Sequence, residues 1–432
     1  MLGFVQNLLS SKANPIGVDF GTDTLRLAQV QRISEGAKIS DDEYKLVAAA
    51  SADVPSQVRK DPAQRLQFFV ETTRDLLAQG NFRGRQAILA LPVASMFIQH
   101  LRTPKMGEEE LKKALPWEAR GQLPIDPSHA LLRHVVAGDI HHDQEPKSEV
   151  ILFAAARTFV EQLLAAASKA RLDIVGMNVE PKSIIDCFTA IYKRKVDADA
   201  TSMFVDIGAG SSRAVIAQGR QIFFARSIQT GGDHFNQAAA SALHTTFEDA
   251  KMLRMQFAIT APAMNESREK TVVQSEEIPA AENSFALLSA TVRPSAREAE
   301  GSTNTTAVLE SPAPAIKTTD PDQQARIIEQ SVRDPLNRLI EELNLCRRYH
   351  EATFPNKPVD RLIFVGGEAR QRSLCAHVAR EMGLAAQVGD PLVRMGRISD
   401  VGIESGIDRR QPQPNWSVAI GLSIGPGNEQ PK

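Results

Sequence analysis

The chain has 432 residues, 42% of them hydrophobic, which is enough for more than one domain with a substantial core. Fifty basic against fifty-two acidic side chains leave a formal charge of -2, so no global field favours nucleic acid or a membrane surface. The three cysteines, Cys187, Cys346 and Cys375, are far apart and form no C-x-x-C pair, so they read as small buried apolar residues of a reducing compartment, not as a bridge or a zinc site.

No run of about eighteen apolar residues occurs, so any membrane contact is expected to be indirect. Met1 to Ser10 lacks the basic region and cleavage site of a secretory signal, which predicts cytoplasmic residence. Within the N-terminal segment 1–15, Leu2, Phe4, Val5, Leu8 and Leu9 fit one side of a short helix that packs on the domain or touches lipid; packing is the plainer reading.

Ile16-Gly17-Val18-Asp19-Phe20-Gly21 returns later as Met203-Phe204-Val205-Asp206-Ile207-Gly208. Arg26 follows Asp19 by the same interval as Arg213 follows Asp206. The copies are too far apart for solenoid repeats and suit two related domains, 16–199 and 200–432. In the first, Leu25 to Ile33 and Tyr44 to Ala50 alternate as strands that form a meander with the strand before them. Pro62 to Gln79 carries Leu66, Phe69, Val70, Leu76 and Leu77 at helical spacing, with Asp61 as its cap. Gln86 to Leu91 and Ser148 to Ala156 are short apolar strands; the helix Thr158 to Lys169 and the strand Ile174 to Val179 follow. Between the two apolar strands, residues 95–142 read as an inserted subdomain: a strand (Met96 to Leu101), a helix opening at Gly107-Glu108-Glu109-Glu110, and a strand from Ala130 to Val136.

The second domain opens with a strand near Ala200 and two hairpin strands, Ser212 to Ala217 and Gln221 to Ser227. From Ala258 to Asp322 the composition turns to Ala, Ser, Thr, Glu and Pro, which predicts a disordered loop. Ala325 to Glu351 is expected to be helical, with Pro335 kinking it or marking a restart. Arg361 to Val365 is a strand that ends in Gly366-Gly367 before the helix Gln371 to Met382.

A strand ending in Asp-x-Gly and followed by hydroxyl residues sets a carboxylate near a metal while backbone N–H groups face phosphate oxygens. Asp19-Phe20-Gly21-Thr22 is one such loop; Asp206, Gly208, Gly210, Ser211 and Ser212 make a second, and Gly366-Gly367 a third. Three such loops in this order favour a nucleotide clamp. His141-His142, beside Asp139 and Asp143, has no further ligand at helical or strand spacing.

These loops resemble the two phosphate motifs and the adenosine motif of the actin-like ATPases. The finer resemblance is to the PilM family of type IV pilus assembly proteins. It rests on Ala90-Leu91-Pro92, Glu108-Glu109-Glu110-Leu111, Trp117-Glu118-Ala119 before Leu123-Pro124, Val179-Glu180-Pro181, Gly231-Gly232-Asp233, Gly366-Gly367-Glu368 and Val418-Ala419-Ile420-Gly421-Leu422. It implies an α/β, actin/hexokinase two-domain fold with a duplicated mixed-sheet core and an inserted small subdomain. It also implies ATP with Mg2+ as cofactors. Asp19, Gly21 and Thr22 would surround the metal and terminal phosphates, with Asp206, Gly208, Gly210 and Ser211 as the opposite jaw. Gly231 and Gly232 would close beside the phosphates, and Gly366, Gly367 and Glu368 would lie along the adenosine. Glu180 either orients an attacking water in a weak ATPase or serves the helix dipole.

Two departures stand out. Ala250-Lys251-Met252-Leu253-Arg254 carries lysine where relatives often have a glutamate that accepts from the ribose. Arg26 stands where lysine is common and reads as a surface cation. The family implies a role in recruiting the short cytoplasmic N-terminus of a bitopic inner-membrane protein, with contacts around Met96, Phe97, Leu115 and Trp117 that otherwise form the core of the insert. Self-association stays open, and nucleic acid is not expected. A small-molecule kinase of the same fold and a nucleotide-free scaffold are the competing readings.

Overall fold

Each copy of the Asp-x-Gly echo closes a buried strand that turns straight back on itself. β1 (Ile16–Phe20) is buried throughout and pairs antiparallel with β2 (Thr24–Arg32), which pairs with β3 (Tyr44–Asp53). The helix α1 (Pro62–Gln79) follows, its first turn capped by Asp61, whose Oδ1 accepts from the amides of Ala63 (2.8 Å) and Gln64 (3.2 Å). Pro62 at the first helical position gives up an amide that has no partner inside the helix. β4 (Gln86–Leu91) then runs parallel to β1.

The computed structural model of the chain describes residues 13–33, 44–142, 145–256, 320–396 and 407–425, all within one compact unit. The helix read over Met1 to Ser10 and nearly all of the 258–322 segment lie outside the described residues. So do the side chains of His141 and His142.

The insert follows β4 as β5 (Met96–Pro104), α2 (Glu108–Glu118), β6 (Ala130–His142) and β7 (Glu145–Ala156). β7 is the central strand of a separate three-stranded sheet, ordered β5-β7-β6. The apolar run at Ser148–Ala156 therefore belongs to the insert's sheet and not to the main one, where β4 instead meets β8 (Asp173–Val179) after α3 (Arg157–Lys169). Leu101, Leu111, Leu115, Ala119, Val150 and Leu152 give the insert its own core.

After α4 (Glu180–Ile191) the pattern repeats. β9 (Thr201–Ile207), β10 (Ser212–Gln218) and β11 (Gln221–Ile228) form the second meander, and α5 (Gly232–Leu243) and α6 (Phe247–Gln256) follow. α7 (Pro321–Thr353) runs unbroken through Pro335, so the expected restart does not occur. Its inner face, including Ile328, Val332, Leu336, Leu339 and Leu343, is buried against the second sheet. β12 (Arg361–Val365) joins β9 in parallel, and α8 (Arg372–Met382), β13 (Ala385–Val388), β14 (Met395–Gly396) and α9 (Ser417–Ile424) complete the described chain.

The first main sheet is ordered β14-β3-β2-β1-β4-β8 and the second β11-β10-β9-β12-β13; the five strands β3-β2-β1-β4-β8 match the second sheet in order, each set a meander followed by two parallel strands, and β14 is an extra sixth strand on the first. The late elements return to the first half: β14 pairs with β3, and α9 lies along α4 and β1. Gly17 and Gly421 allow this close approach. A β-carbon on Gly17 would overlap Ala419 O, and one on Gly421 would overlap Ser183 O. The core around Ile184, Phe188, Ala419, Ile420 and Leu422 also takes in Phe204, Val215 and Ile363, so one apolar cluster spans both halves.

Candidate functional site

The two Asp-x-Gly turns face each other across a cavity of about 210 Å³. In each, the glycine amide after the strand reaches over the turn: Gly21 N donates to Thr24 O (3.0 Å), and Gly208 N donates to Ser211 O (3.1 Å). The cavity wall brings together Asp19, Gly21, Thr22, Glu180, Asp206, Gly208, Ser211, Gly366, Gly367 and Glu368. Gly366 has φ +87°, and a β-carbon there would overlap Asp206 Oδ1 and stand 2.6 Å from Ile207 O. Only glycine lets the third loop rest on the second.

Three expected residues are not on this wall. Gly210 lies where the two loops meet, and a β-carbon on it would stand 3.2 Å from Thr22 Oγ1. Gly231 and Gly232 spend their amides elsewhere, on His234 Nδ1 (3.2 Å) and Gly208 O (2.9 Å), while Asp233 N binds Ala209 O (2.8 Å). The first turn of α5 thus braces the second loop from behind.

The antiparallel register sets an arginine opposite each aspartate. Asp19 pairs with Arg26 across β1 and β2, and Asp206 pairs with Arg213 across β9 and β10. Arg213 Nη1 binds Asp206 Oδ2 at 2.7 Å, and its Nε lies against Glu180 Oε2. Arg26 Nη1 is 3.9 Å from Asp19 Oδ2. The Arg26 side chain is only 13% exposed and lines the cavity, so the surface role expected for it is wrong. Three buried carboxylates thus share two guanidinium groups. Burial pushes Glu180 up to about 8, with Arg213 pulling it down and Asp19 and Asp206 adding to the rise. Asp19 rises to about 6, again chiefly through burial, against the pull of Arg26 and Arg213. Burial also works to lower the Arg213 pKa, but the Asp206, Glu180 and Asp19 charges outweigh it and hold the guanidinium charged.

These residues do not fit a divalent cation. Mg2+ demands oxygen ligands at about 2.1 Å in near-octahedral order. A dication about 4 Å from one guanidinium is repelled by about 8 kcal/mol at an effective dielectric of ~20, which offsets the pull of the carboxylate that guanidinium faces. Asp19 and Asp206, expected to surround Mg2+, face arginines instead. Among the described residues no group of three or more His, Cys, Asp or Glu is disposed to hold a metal.

Glu368 is also engaged. Arg254, fully buried, binds it through both terminal nitrogens at 2.8 Å and binds Asn236 Oδ1 at 2.7 Å and Gln371 Oε1 at 3.0 Å. Lys251 lines the cavity, its Nζ 3.8 Å from Asp23 Oδ2 on the opposite wall. Arg65 donates to Thr22 O (3.0 Å) and Gly21 O (3.1 Å), fixing the first loop from outside. Sequence reasoning assigned no site role to Arg213, Arg254 or Arg65. The repeated aspartate–arginine interval was the available signal for the first; the other two bond to residues far away in the chain.

The sequence model of the type IV pilus assembly protein PilM matches residues 17–264, more than half of the chain. The chain belongs to the PilM family. The model of the cell division protein FtsA also matches, over residues 203–421. Among solved structures, a PilM–PilN type IV pilus biogenesis complex aligns with a TM-score of 0.67 at 18% identity, covering 96% of this chain and 99% of that one. The ethanolamine utilization protein EutJ from Carboxydothermus hydrogenoformans aligns at 0.47 and 14% identity, over 96% and 89%. MreB5 of Spiroplasma citri bound to ADP aligns at 0.42 and 11% identity, over 96% and 98%. No curated protein sequence matches. The α/β two-domain fold is the actin-like one.

The insert of this PilM-family chain separates the four expected partner residues. Met96 is buried in the core that spans both halves, and Leu115 in the insert's own core. Phe97 is 37% exposed and Trp117 68%, the indole stacked against Arg120 with 4.6 Å from guanidinium carbon to ring centroid. The insert is also tied to the second half. Glu149, fully buried on β7, accepts from Tyr349 Oη of α7 (2.6 Å) and pairs with His100 Nδ1 (2.9 Å); His100 Nε2 faces Ala225 O of β11 (3.1 Å). Burial works to raise the Glu149 pKa, but the His100 and Tyr349 hydrogen bonds outweigh it and hold the carboxyl below its usual range. Among the described residues no helix is long and apolar enough to cross a membrane.

Proposed function

We propose that this PilM-family chain is an ATP-binding adaptor of type IV pilus assembly, resident in the cytoplasm at the inner membrane. It recruits the short cytoplasmic N-terminus of an inner-membrane partner. The observation that carries the nucleotide reading is the pair of aspartate–arginine loops facing one another across a single cavity, with Gly366 and Gly367 on the third side. Thr22 and Ser211 carry hydroxyl groups on this wall that would donate to the phosphates, and Arg26 lines it 3.9 Å from Asp19, while the Gly21 and Gly208 amides close their own turns. Glu180 faces Arg213 and does not stand free to orient a water, so slow hydrolysis or none is expected.

The partner reading rests on the exposed Phe97 and Trp117 and on the family. An extended peptide docked there draws affinity from backbone bonds and specificity from a few apolar contacts, so micromolar binding, about -8 kcal/mol, is expected. The Glu149–His100–Tyr349 link between the insert and the second half offers a route by which cleft closure reaches the docking surface. A nucleotide-free scaffold is the second reading, favoured by the Arg254–Glu368 pair, which takes up the carboxylate expected beside the adenosine. Thermal unfolding with ATP decides between them. A bound ligand at a hundredfold excess over its Kd stabilises by roughly 2.7 kcal/mol, whereas a scaffold shows no shift. For the partner, anisotropy of a labelled synthetic peptide of the inner-membrane protein's N-terminus is the test. Affinity that is unchanged by both Phe97→Ala and Trp117→Ala removes the insert from the docking surface.

A further inference from the structure

The insert meets the second half where β5 and β6 pack on β11, the edge strand of the second sheet. One fastening there does not depend on pH: the side-chain amide of Gln221, at the start of β11, donates to Val136 O (2.8 Å) and Ala137 O (3.0 Å), where the register of β6 shifts. The other is His100 of β5. Its ring is stacked on Phe224 of β11 with 4.7 Å between centroids and stands edge-on to Tyr349 of α7 at 5.3 Å. Nδ1 lies 2.9 Å from Glu149 Oε1, and Nε2 lies 3.1 Å from Ala225 O. Both oxygens only accept: one is a main-chain carbonyl, and the other belongs to a carboxyl that is held below its usual range despite its burial and is therefore ionised.

We propose that His100 is a titratable clasp between the insert and the second half, one that holds β11 only as an imidazolium and lets it go when the ring loses its second proton. A neutral imidazole carries a single N–H, so one nitrogen would turn a lone pair toward an oxygen lone pair about 3 Å away. The carboxylate is the stronger acceptor. The neutral ring therefore keeps its Nδ1 proton on Glu149, inside the insert, and gives up Ala225 O. The surroundings favour the cation. Glu149 faces it from β7 with a negative charge, and Phe224 offers it the face of a ring. Tyr349 donates its hydroxyl to Glu149 (2.6 Å) and stays neutral, since burial and the Glu149 charge push its pKa up. Arg102, two residues along β5, opposes the cation, but its side chain is 39% exposed and its Nε turns to Glu149 Oε2 at 3.4 Å. Arg226, next along β11, pairs with Glu342 of α7 at 3.0 Å, and β6 sets Gly138 opposite Glu149. Histidine ordinarily changes charge between about pH 5 and 8, so the insert is held more firmly on the acid side of that range. The clasp rests on neither the nucleotide reading nor the partner reading.

Nuclear magnetic resonance of the full chain with heavy-nitrogen-labelled histidine rings tests this, the His100 signals being those absent from His100→Gln. The expected result is a ring with both N–H groups at about pH 5.5 that loses only its Nε2 proton by about pH 8.5. Hydrogen exchange, corrected for the intrinsic effect of pH, is expected to quicken about threefold or more over that interval in peptides covering residues 96–104 and 221–228, as for one lost hydrogen bond. His100→Gln is expected to show no such rise. A ring with a single N–H at the acid end, or one that loses the Nδ1 proton first, overturns the inference. So does exchange in those peptides that stays level in the parent, or that quickens equally in His100→Gln. If His100→Gln does not fold, the ring is assigned by its contacts with the Phe224 and Tyr349 rings, and the two measurements on the parent decide.

Discussion

Replacing Gly366 by alanine separates what the backbone costs from what the cavity wall costs. With φ at +87°, any residue with a β-carbon pays about 1–2 kcal/mol for the left-handed region. The new methyl would also overlap Asp206 Oδ1 and stand 2.6 Å from Ile207 O, and a main-chain oxygen at the end of β9 cannot swing aside as a side chain can. Asp206 must therefore rotate away from Arg213, which adds about 1–3 kcal/mol of overpacking, for a total of roughly 2–5 kcal/mol. Gly383 supplies the control. Its φ is +64°, and no atom lies within 4 Å of a β-carbon there, so Gly383→Ala pays only the backbone cost of about 1–2 kcal/mol. Urea unfolding of both variants, with stabilities extrapolated at equal slope, measures the difference. Gly366→Ala should also lose ATP affinity that Gly383→Ala keeps. Equal stabilities for the two variants would refute the claim that the third loop rests on the second.

Stability should fall as pH rises from about 4.5 toward 8, because Glu180 and Asp19 keep protons in the folded chain that the unfolded chain has already released; Glu180→Gln should flatten this slope, as urea midpoints at about pH 5.5 and about pH 8.5 will reveal. Leu115→Ala should cost about 2–5 kcal/mol by emptying the insert's core. Trp117→Ala should stay within about 0.5 kcal/mol of the parent, since the indole is largely exposed. Asp61→Ala should cost about 1 kcal/mol in thermal or chemical unfolding by freeing the two amides at the start of α1.

The echo of Asp19 in Asp206 was enough to read two related meanders, because a buried strand, a tight turn and an alternating strand each leave a local pattern. The turn geometry that makes Arg26 and Arg213 face those aspartates was local too, but treating Arg26 as a surface cation hid the register. The Ser148–Ala156 run was found as a strand yet not as part of the insert, since a strand covered on both faces looks the same in any sheet. The Arg254–Glu368 pair spans 114 positions and the Glu149–Tyr349 bond 200, so no nearby spacing announces either. The closing apolar stretch Val418–Leu422 carried a family likeness but no reading as a helix, and nothing local assigns it to the first half. The partner residues divided as they did because alternate strand positions face opposite ways, which buries Met96 and turns Phe97 outward.

The seat of α9 has a consequence for synthesis. The groove along Gly17 and Ser183 is complete once α4 has left the ribosome, yet the helix that fills it follows the whole second half. At about 5–20 residues per second the wait is roughly 10–50 s, during which an apolar trough lined by Ile184 and Phe188 stays open to chaperones and to neighbouring nascent chains. A fragment cut near Ala200 would carry that trough permanently. Fragment complementation should therefore succeed only when the second piece retains Ser417–Ile424, because that helix, although encoded after the second sheet, is a structural part of the domain made first.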